Sequence, residues 1–289
     1  MTRVLVATEE GTEGLGGRPV GPLATAAGGE VWAVVGEREL WRRPPGGSWE
    51  EVAVGGHDLT CVQPLGTGVV VGTAEAHLLE LDGDGRHLET VASFDAVADR
   101  AKWYTPWGGP ADTRSIAASG DVLLVNIHVG GVARSDDGPR GPWRALVDID
   151  VDVHQVIAAP DGSLLVATGA AGFGRSTDGG ETWAWDHEGL HGSYCRAVAV
   201  AGDHVLLSAS TGPHTTRGAV YRRPLGSAGG WERVGGLVPG NVDTFWLAAA
   251  GDTAAFATEA GAVWASADAG ATWDLVRQVG GRPRGLALV

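Results

Sequence analysis

The chain has 289 residues, 44% of them hydrophobic, with 47 glycines and 12 tryptophans. Its formal net charge is −14, and every basic residue except Lys102 is an arginine; an acidic excess of this size argues against nucleic acid as a partner. Two cysteines, Cys61 and Cys195, supply neither a disulfide framework nor a CxxC metal motif, and no apolar run approaches the ~18 residues of a membrane span.

In chain order, the first predicted element is VLVAT (4–8), a short strand. One arginine precedes it and it is too short for a signal-peptide core, so a cytoplasmic protein with reduced thiols is expected. VWAVVG (31–36) and GVVVGT (68–73) are the next strands, followed by turns that end near Trp49 and Leu88. The longest connection, residues 93–115, carries Lys102, Trp103, Tyr104 and Trp107. Such aromatics suit a lid or stacking platform for an organic ligand, or equally a loop packed over a blade edge. DVLLVNI (121–127) leads to a turn ending at Trp143.

The clearest copy follows. It predicts strands at Gln155–Ala159, Leu164–Thr168 and Phe173–Ser176, with a fourth starting at Trp183. Period-2 alternation bounded by Gly and Asp is the strand and hairpin signature. HVLLSAS (204–210) with Trp231 and TAAFAT (253–258) with Trp273 repeat the pattern, and RGLALV ends the chain as an inner strand.

This grammar recurs every 40–55 residues or so, the period of a four-stranded propeller blade. The expected fold is all-β: one β-propeller domain over residues 1–289, with the 93–115 insertion on the presumed ligand face. Seven blades are favoured and six are the alternative. Pairing of the N- and C-terminal strands closes the ring and leaves no exposed sheet edge there; the closing blade is expected to be irregular and short of a strand.

Two turns share one pattern. In RSTDGGETW (175–183) and ASADAGATW (265–273), an Asp can accept turn amides, a Gly can take positive φ, and a Trp can bury its ring between blades. The S-x-D-x-G-x-T-W pattern resembles the Asp-box, or BNR repeat, of sialidases and related propellers; Ser135–Trp143 is a third copy with one extra residue. The segments NIHVGG, DVHQV and GLHGSYCRAVAV make the chain more similar to small bacterial BNR-repeat propellers, which implies a fold and no reaction. The resemblance also implies that these turns lie opposite the functional face. Sialidases clamp a sugar carboxylate with three arginines and use a Tyr–Glu pair and an Asp. Arg114, Arg196, Arg217 and Arg284 can reach the upper face, and Tyr194 is there at the head of an inner strand, but no glutamate accompanies Tyr194 and no N-terminal arginine motif is present. Sialidase activity is therefore not expected.

Of nine histidines, seven (His57, His77, His128, His154, His187, His191 and His214) fall in or beside loops of that face. Imidazole is the commonest metal ligand and titrates near neutrality. His128 and His154, on adjacent blades, are the expected metal ligands, and a divalent ion is the candidate cofactor. His154, Tyr194, Arg196 and Asp243 are the expected catalytic group. His57, Asp58, Trp103, Tyr104, Trp107, His191 and Asn241 are the expected ligand contacts. Asn241, Asp243 and Thr244 are expected to head an inner strand; Cys195 reads as a buried small side chain. The expected function is a small-molecule enzyme or binding protein, through metal-dependent hydrolysis or acid/base chemistry at the channel mouth. The alternative is a non-catalytic scaffold or assembly factor that holds a protein partner on its rim.

Overall fold

A computed structural model describes residues 3–66, 68–105 and 107–289 of the chain. Seven four-stranded antiparallel sheets form one ring. Numbered along the chain, blade 1 spans residues 20–54, blade 2 residues 59–90, blade 3 residues 113–145, blade 4 residues 153–186, blade 5 residues 194–238 and blade 6 residues 247–278. In each of these the first strand lies innermost and the later ones step outward. Among the described residues no helix is long and apolar enough to cross a membrane.

Blade 7 closes the ring. Its inner strand is Pro283–Leu288, paired with Val4–Thr8 in the register Val4↔Leu288 to Ala7↔Gly285. This blade is not short of a strand. Gly11–Thr12 and Leu15–Gly16 complete it as two-residue strands, too brief to stand out by alternation. Thr8 Oγ1 donates to the Gly11 carbonyl at 3.0 Å and Thr12 Oγ1 to that of Val6 at 2.8 Å, which fixes this small outer hairpin.

The strand limits in blade 4 shift slightly from expectation, to Val153–Ala158, Leu164–Thr168, Phe173–Ser176 and Ala184–Asp186. Interfaces between blades are apolar. Trp183 packs with Leu146 and Val147 of the blade 3 side, and Phe173 meets Trp231 edge-on at 5.1 Å. Burial of a side chain of this size is worth about 1.5–3 kcal/mol, and the pattern repeats around the ring.

The two matching turns carry the same hydrogen bonds. Asp178 Oδ1 accepts from the Thr182 amide at 2.9 Å and from Ser176 Oγ at 2.8 Å, while Oδ2 accepts from Thr182 Oγ1 at 2.6 Å. Asp268 does the same with Ser266 and Thr272. The tryptophan Nε1 of each turn donates to the carbonyl of Gly180 or Gly270. The Ser135 turn lacks the aspartate bonds; there Ser135 Oγ donates to the Gly138 carbonyl. These turns join the third and fourth strands. They therefore lie at the opposite end of the blades from the loops that join second to third strands and the loops that enter each inner strand.

Candidate metal centre at the channel mouth

Two irregular segments of neighbouring blades build the centre. The blade 3 strand Val122–Ile127 runs directly into His128, and the chain then turns through Val129, at φ 44°, and Gly131. A β-branched residue at positive φ is a genuine outlier. It is held by the Gly130 amide donating to the Ile127 carbonyl at 3.0 Å. Side chains are excluded at both glycines: a Cβ on Gly130 would strike Ile127, and one on Gly131 the Val147 carbonyl. NIHVGG is thus a loop that presents one imidazole.

Blade 4 supplies the other two groups. A 3₁₀ turn, Ile149–Val151, ends at Asp152 in the left-handed region, φ 54° and ψ 63°. His154 sits two residues on in the inner strand. Gly169, on the facing strand connection, donates its amide to the Asp152 carbonyl, and a Cβ there would run into the Asp152 carboxylate.

The geometry around Asp152 is specific. His154 Nδ1 donates to the Cys195 carbonyl at 2.7 Å; a carbonyl only accepts, so the proton of neutral His154 is on Nδ1. His128 Nδ1 faces Asp112 Oδ1 at 3.2 Å, which fixes the same tautomer. Both Nε2 atoms then point at one carboxylate: His128 Nε2 lies 3.4 Å from Asp152 Oδ1 and His154 Nε2 3.3 Å from Oδ2. Ligand atoms of all three residues lie within 4.8 Å of one another. Yet neither Asp152 Oδ1 nor His154 Nε2 makes a hydrogen bond.

Charge states sharpen this. Burial holds the His154 imidazole below its ordinary pKa, more than Asp152 can offset. For His128, burial acts the same way, but the neighbouring carboxylates of Asp112 and Asp152 prevail and hold it above. Burial also works against the Asp152 charge, and the two imidazoles overcome it, so its carboxyl lies far below the usual range. A neutral His154 therefore directs a lone pair at a carboxylate oxygen with no proton between them. That contact is repulsive unless a cation lies there.

Other expected residues surround the centre unevenly. Tyr194 meets the His154 ring edge-on at 4.9 Å. Arg196 Nη2 donates to Tyr194 Oη at 3.1 Å and its Nη1 to Asp243 Oδ2 at 2.7 Å. Asp243 and Thr244 do not head a strand; they form a loop before Leu247–Ala250, because the Trp246 amide closes a turn on the Asp243 carbonyl. Thr244 Oγ1 donates to the Arg196 carbonyl at 3.1 Å, which ties this loop to the centre. Trp107 is 72% exposed, with its ring 4.9 Å from that of His128.

The seven histidines do not gather in one place. His57 bonds Glu75 at 2.9 Å and Asp58 pairs with Arg38 at 2.6 Å, both on the blade 2 side. His77 pairs with Asp95. His191 stacks on Tyr221 and bonds its hydroxyl at 2.9 Å. Asn241 Nδ2 donates to the Pro213 carbonyl at 3.1 Å, bracing a neighbouring loop. Trp103 packs on Phe94, itself fully buried, at 5.8 Å, while Tyr104 is 46% exposed. The 93–115 segment thus both anchors itself and leaves aromatics free. Cys195 is fully buried and burial pushes its thiol up; Cys61 is pushed up to about 12.

Sequence reasoning missed Asp152 and Asp112, and named Arg114 only among the arginines of the upper face. A signal existed: Asp152-Val153-His154 and Asp112-Thr113-Arg114 are i, i+2 pairs at the start of inner strands, where alternate side chains share a face. Arg114 stands close enough to lower the basicity of both imidazoles and the pKa of Asp112.

No family model matches the chain, and no curated protein matches it. Solved structures do. The chain is similar to streptogramin B lyase, with TM-score 0.67 and 10% identity over 98% of this chain and 90% of that one. It is similar to YCF48 bound to D1 peptide, with TM-score 0.63 and 16% identity over 99% and 95%. It is also similar to the extracellular domain of BT4673 from B. thetaiotaomicron, with TM-score 0.61 and 15% identity; there it covers 97% of itself and 35% of the other chain, so it spans about a third of that protein's length. At these identities the likeness extends to the fold, a seven-bladed propeller, and reaches an enzyme and a peptide-binding protein alike.

Proposed function

We propose that the protein is a metal-dependent enzyme acting on a small molecule at the channel mouth, with a divalent cation held by His128, Asp152 and His154. One observation carries this reading. Two imidazoles with their Nδ1 protons tied down aim both Nε2 atoms at one carboxylate, and two of those ligand atoms have no hydrogen bond. The outer partners, Asp112 and the Cys195 carbonyl, are the kind that orient metal-bound histidines. Two imidazoles and a carboxylate form a common donor set for Zn²⁺, Mn²⁺ or Fe²⁺ with positions left for water or substrate.

The neighbouring side chains suit hydrolysis or acid/base elimination. Arg196 donates to Tyr194 Oη, so the phenol oxygen accepts from it and its own proton is free for a leaving group. Asp243 neutralises Arg196 from the other side. Two non-glycine residues at positive φ, Val129 and Asp152, belong to the centre, and backbone strain of this kind concentrates at functional sites. The resemblance to Asp-box propellers fits a scaffold whose stapled turns brace the opposite end.

The test is elemental analysis of the purified protein, followed by Mn²⁺ and Zn²⁺ titration after chelation. About one equivalent is expected in the wild type, and at least a tenfold loss of affinity in His128→Ala and Asp152→Asn. Equal binding by all three proteins would overturn the assignment. A non-catalytic scaffold is the second reading, favoured by the likeness to YCF48 bound to D1 peptide. Under it, a peptide partner would bind His128→Ala as tightly as the wild type.

A further inference from the structure

A chamber of about 470 Å³ opens on the same face, over the inner strands. Its volume suits a small organic ligand. Phe245 lines both the chamber and the stretch of channel bordered by the inner strands. Asp112, which orients His128, lines the chamber too, so the chamber and the metal centre are contiguous through that residue.

Three arginines line the chamber, in a chain with 35 acidic and 21 basic residues. Arg282 is neutralised, with Asp243 and Glu259 each at 3.9 Å. Among the described residues Arg114 and Arg284 make no ion pair and no side-chain hydrogen bond, although Arg114 stands close enough to Asp112 to lower its pKa. Arg114 Nη1 is buried and unpartnered. The carboxylates in the chamber do not supply the missing partner. Asp112 is bonded to His128, Asp243 to Arg196, and Glu9 stands exposed at the lip. A buried guanidinium N–H without an acceptor is costly, and carboxylate offers the planar, bidentate match to it.

We infer that the ligand of this chamber is a small organic acid, its carboxylate held by Arg114 and Arg284 beside the centre of His128, Asp152 and His154. This rests on the proposed function for its chemistry but not for its binding test. Arg114 and Arg284 would supply the positive charge for an anion in an acidic protein, since binding responds to the groups at the mouth rather than to net charge.

The experiment is calorimetric titration and thermal-shift measurement with acetate, succinate and citrate, with succinamide as the uncharged match and inorganic phosphate as the other anion. Wild type is expected to bind at least one carboxylate, and to bind succinate at least tenfold better than succinamide. Arg114→Gln and Arg284→Gln are each expected to lose at least tenfold in carboxylate affinity, and Arg114→Lys to lose less. All three variants should keep a cooperative melt, and Arg284→Gln should keep wild-type Mn²⁺ affinity, which separates the site from a folding defect. Binding of no carboxylate, equal binding of succinamide, tighter binding of phosphate, or unchanged affinity in both Gln variants would each overturn the inference. Metal uptake without carboxylate binding defeats this inference alone. Carboxylate binding lost in the Gln variants, with no metal taken up by any protein, defeats the metal assignment alone.

Discussion

His154 Nδ1 donates to the Cys195 carbonyl across 2.7 Å, from one inner strand to the next. This bond joins blades 4 and 5 and also decides which way the imidazole can act, since it commits the proton to Nδ1. His154→Asn and His154→Ala separate the two roles. Asn can still donate from near the Nδ1 position, so it should keep most of the stability and lose the metal. Ala leaves the Cys195 carbonyl buried without a donor and should cost about 1–3 kcal/mol more than Asn. Urea denaturation of both variants, with metal titration, checks this; equal stability would show that the bond does not matter to the fold.

Gly169→Ala should damage the centre without touching a ligand. The new Cβ falls on the Asp152 carboxylate. We expect metal affinity to fall at least tenfold while the far-UV spectrum and cooperative melt persist. Gly83→Ala, where the added Cβ meets nothing within 4 Å, is the control and should leave affinity unchanged.

Phe245 holds φ at 66°, where a bulky residue is strained by about 1–3 kcal/mol. Replacement by Gly loses the ring's packing but relieves the backbone, whereas Ala loses the packing and keeps the strain. Phe245→Gly should therefore be at least as stable as Phe245→Ala, the reverse of the usual order of these residues in regular structure. Thermal melts of the pair decide it, and an Ala variant clearly more stable than the Gly variant would contradict the strain.

The two stapled turns should impart acid sensitivity. The hydrogen bonds to Asp178, led by Thr182 and Ser176, lower its carboxyl to about 2, and those to Asp268 lower that carboxyl further. A group whose pKa is lower when folded stabilises the fold fully above its unfolded pKa, about 3.9, and ceases to do so as pH falls through the folded value. The stability gap between wild type and Asp178→Asn/Asp268→Asn should be widest at pH 5–7 and narrow steadily from pH 4 to pH 2. Guanidinium melts across that range measure it; a gap independent of pH would mean the carboxylate charge is not what the turns use.

Much of the ring was legible residue by residue. The short apolar runs around Leu165, Leu206 and Val125 mark the second strands because both faces of such a strand are buried against neighbouring blades. Asp178 and Asp268 announce turns through a local pattern of eight residues. The outer hairpin of blade 7 was not legible, since Gly11–Thr12 and Leu15–Gly16 are too short to show a period. The candidate site was half legible. His128, His154, Tyr194, Arg196 and Asp243 carry their chemistry in their identity, whereas Asp152 and Arg114 gain theirs only from what lies across a blade boundary.

The sequence by itself determined the repeat, the direction of closure and the end of the blades at which variable loops collect. Those depend on local periodicity and turn chemistry, which a chain encodes over tens of residues. Only the tertiary structure decided that Asp152 stands between His128 and His154 while His57 and His191 are occupied by Glu75 and Tyr221. Only it decided that Arg114 and Arg284 face one chamber without partners. Those relations bridge different blades, where the angle between sheets and the left-handed turns at Val129 and Asp152 fix distances that spacing along the chain does not contain.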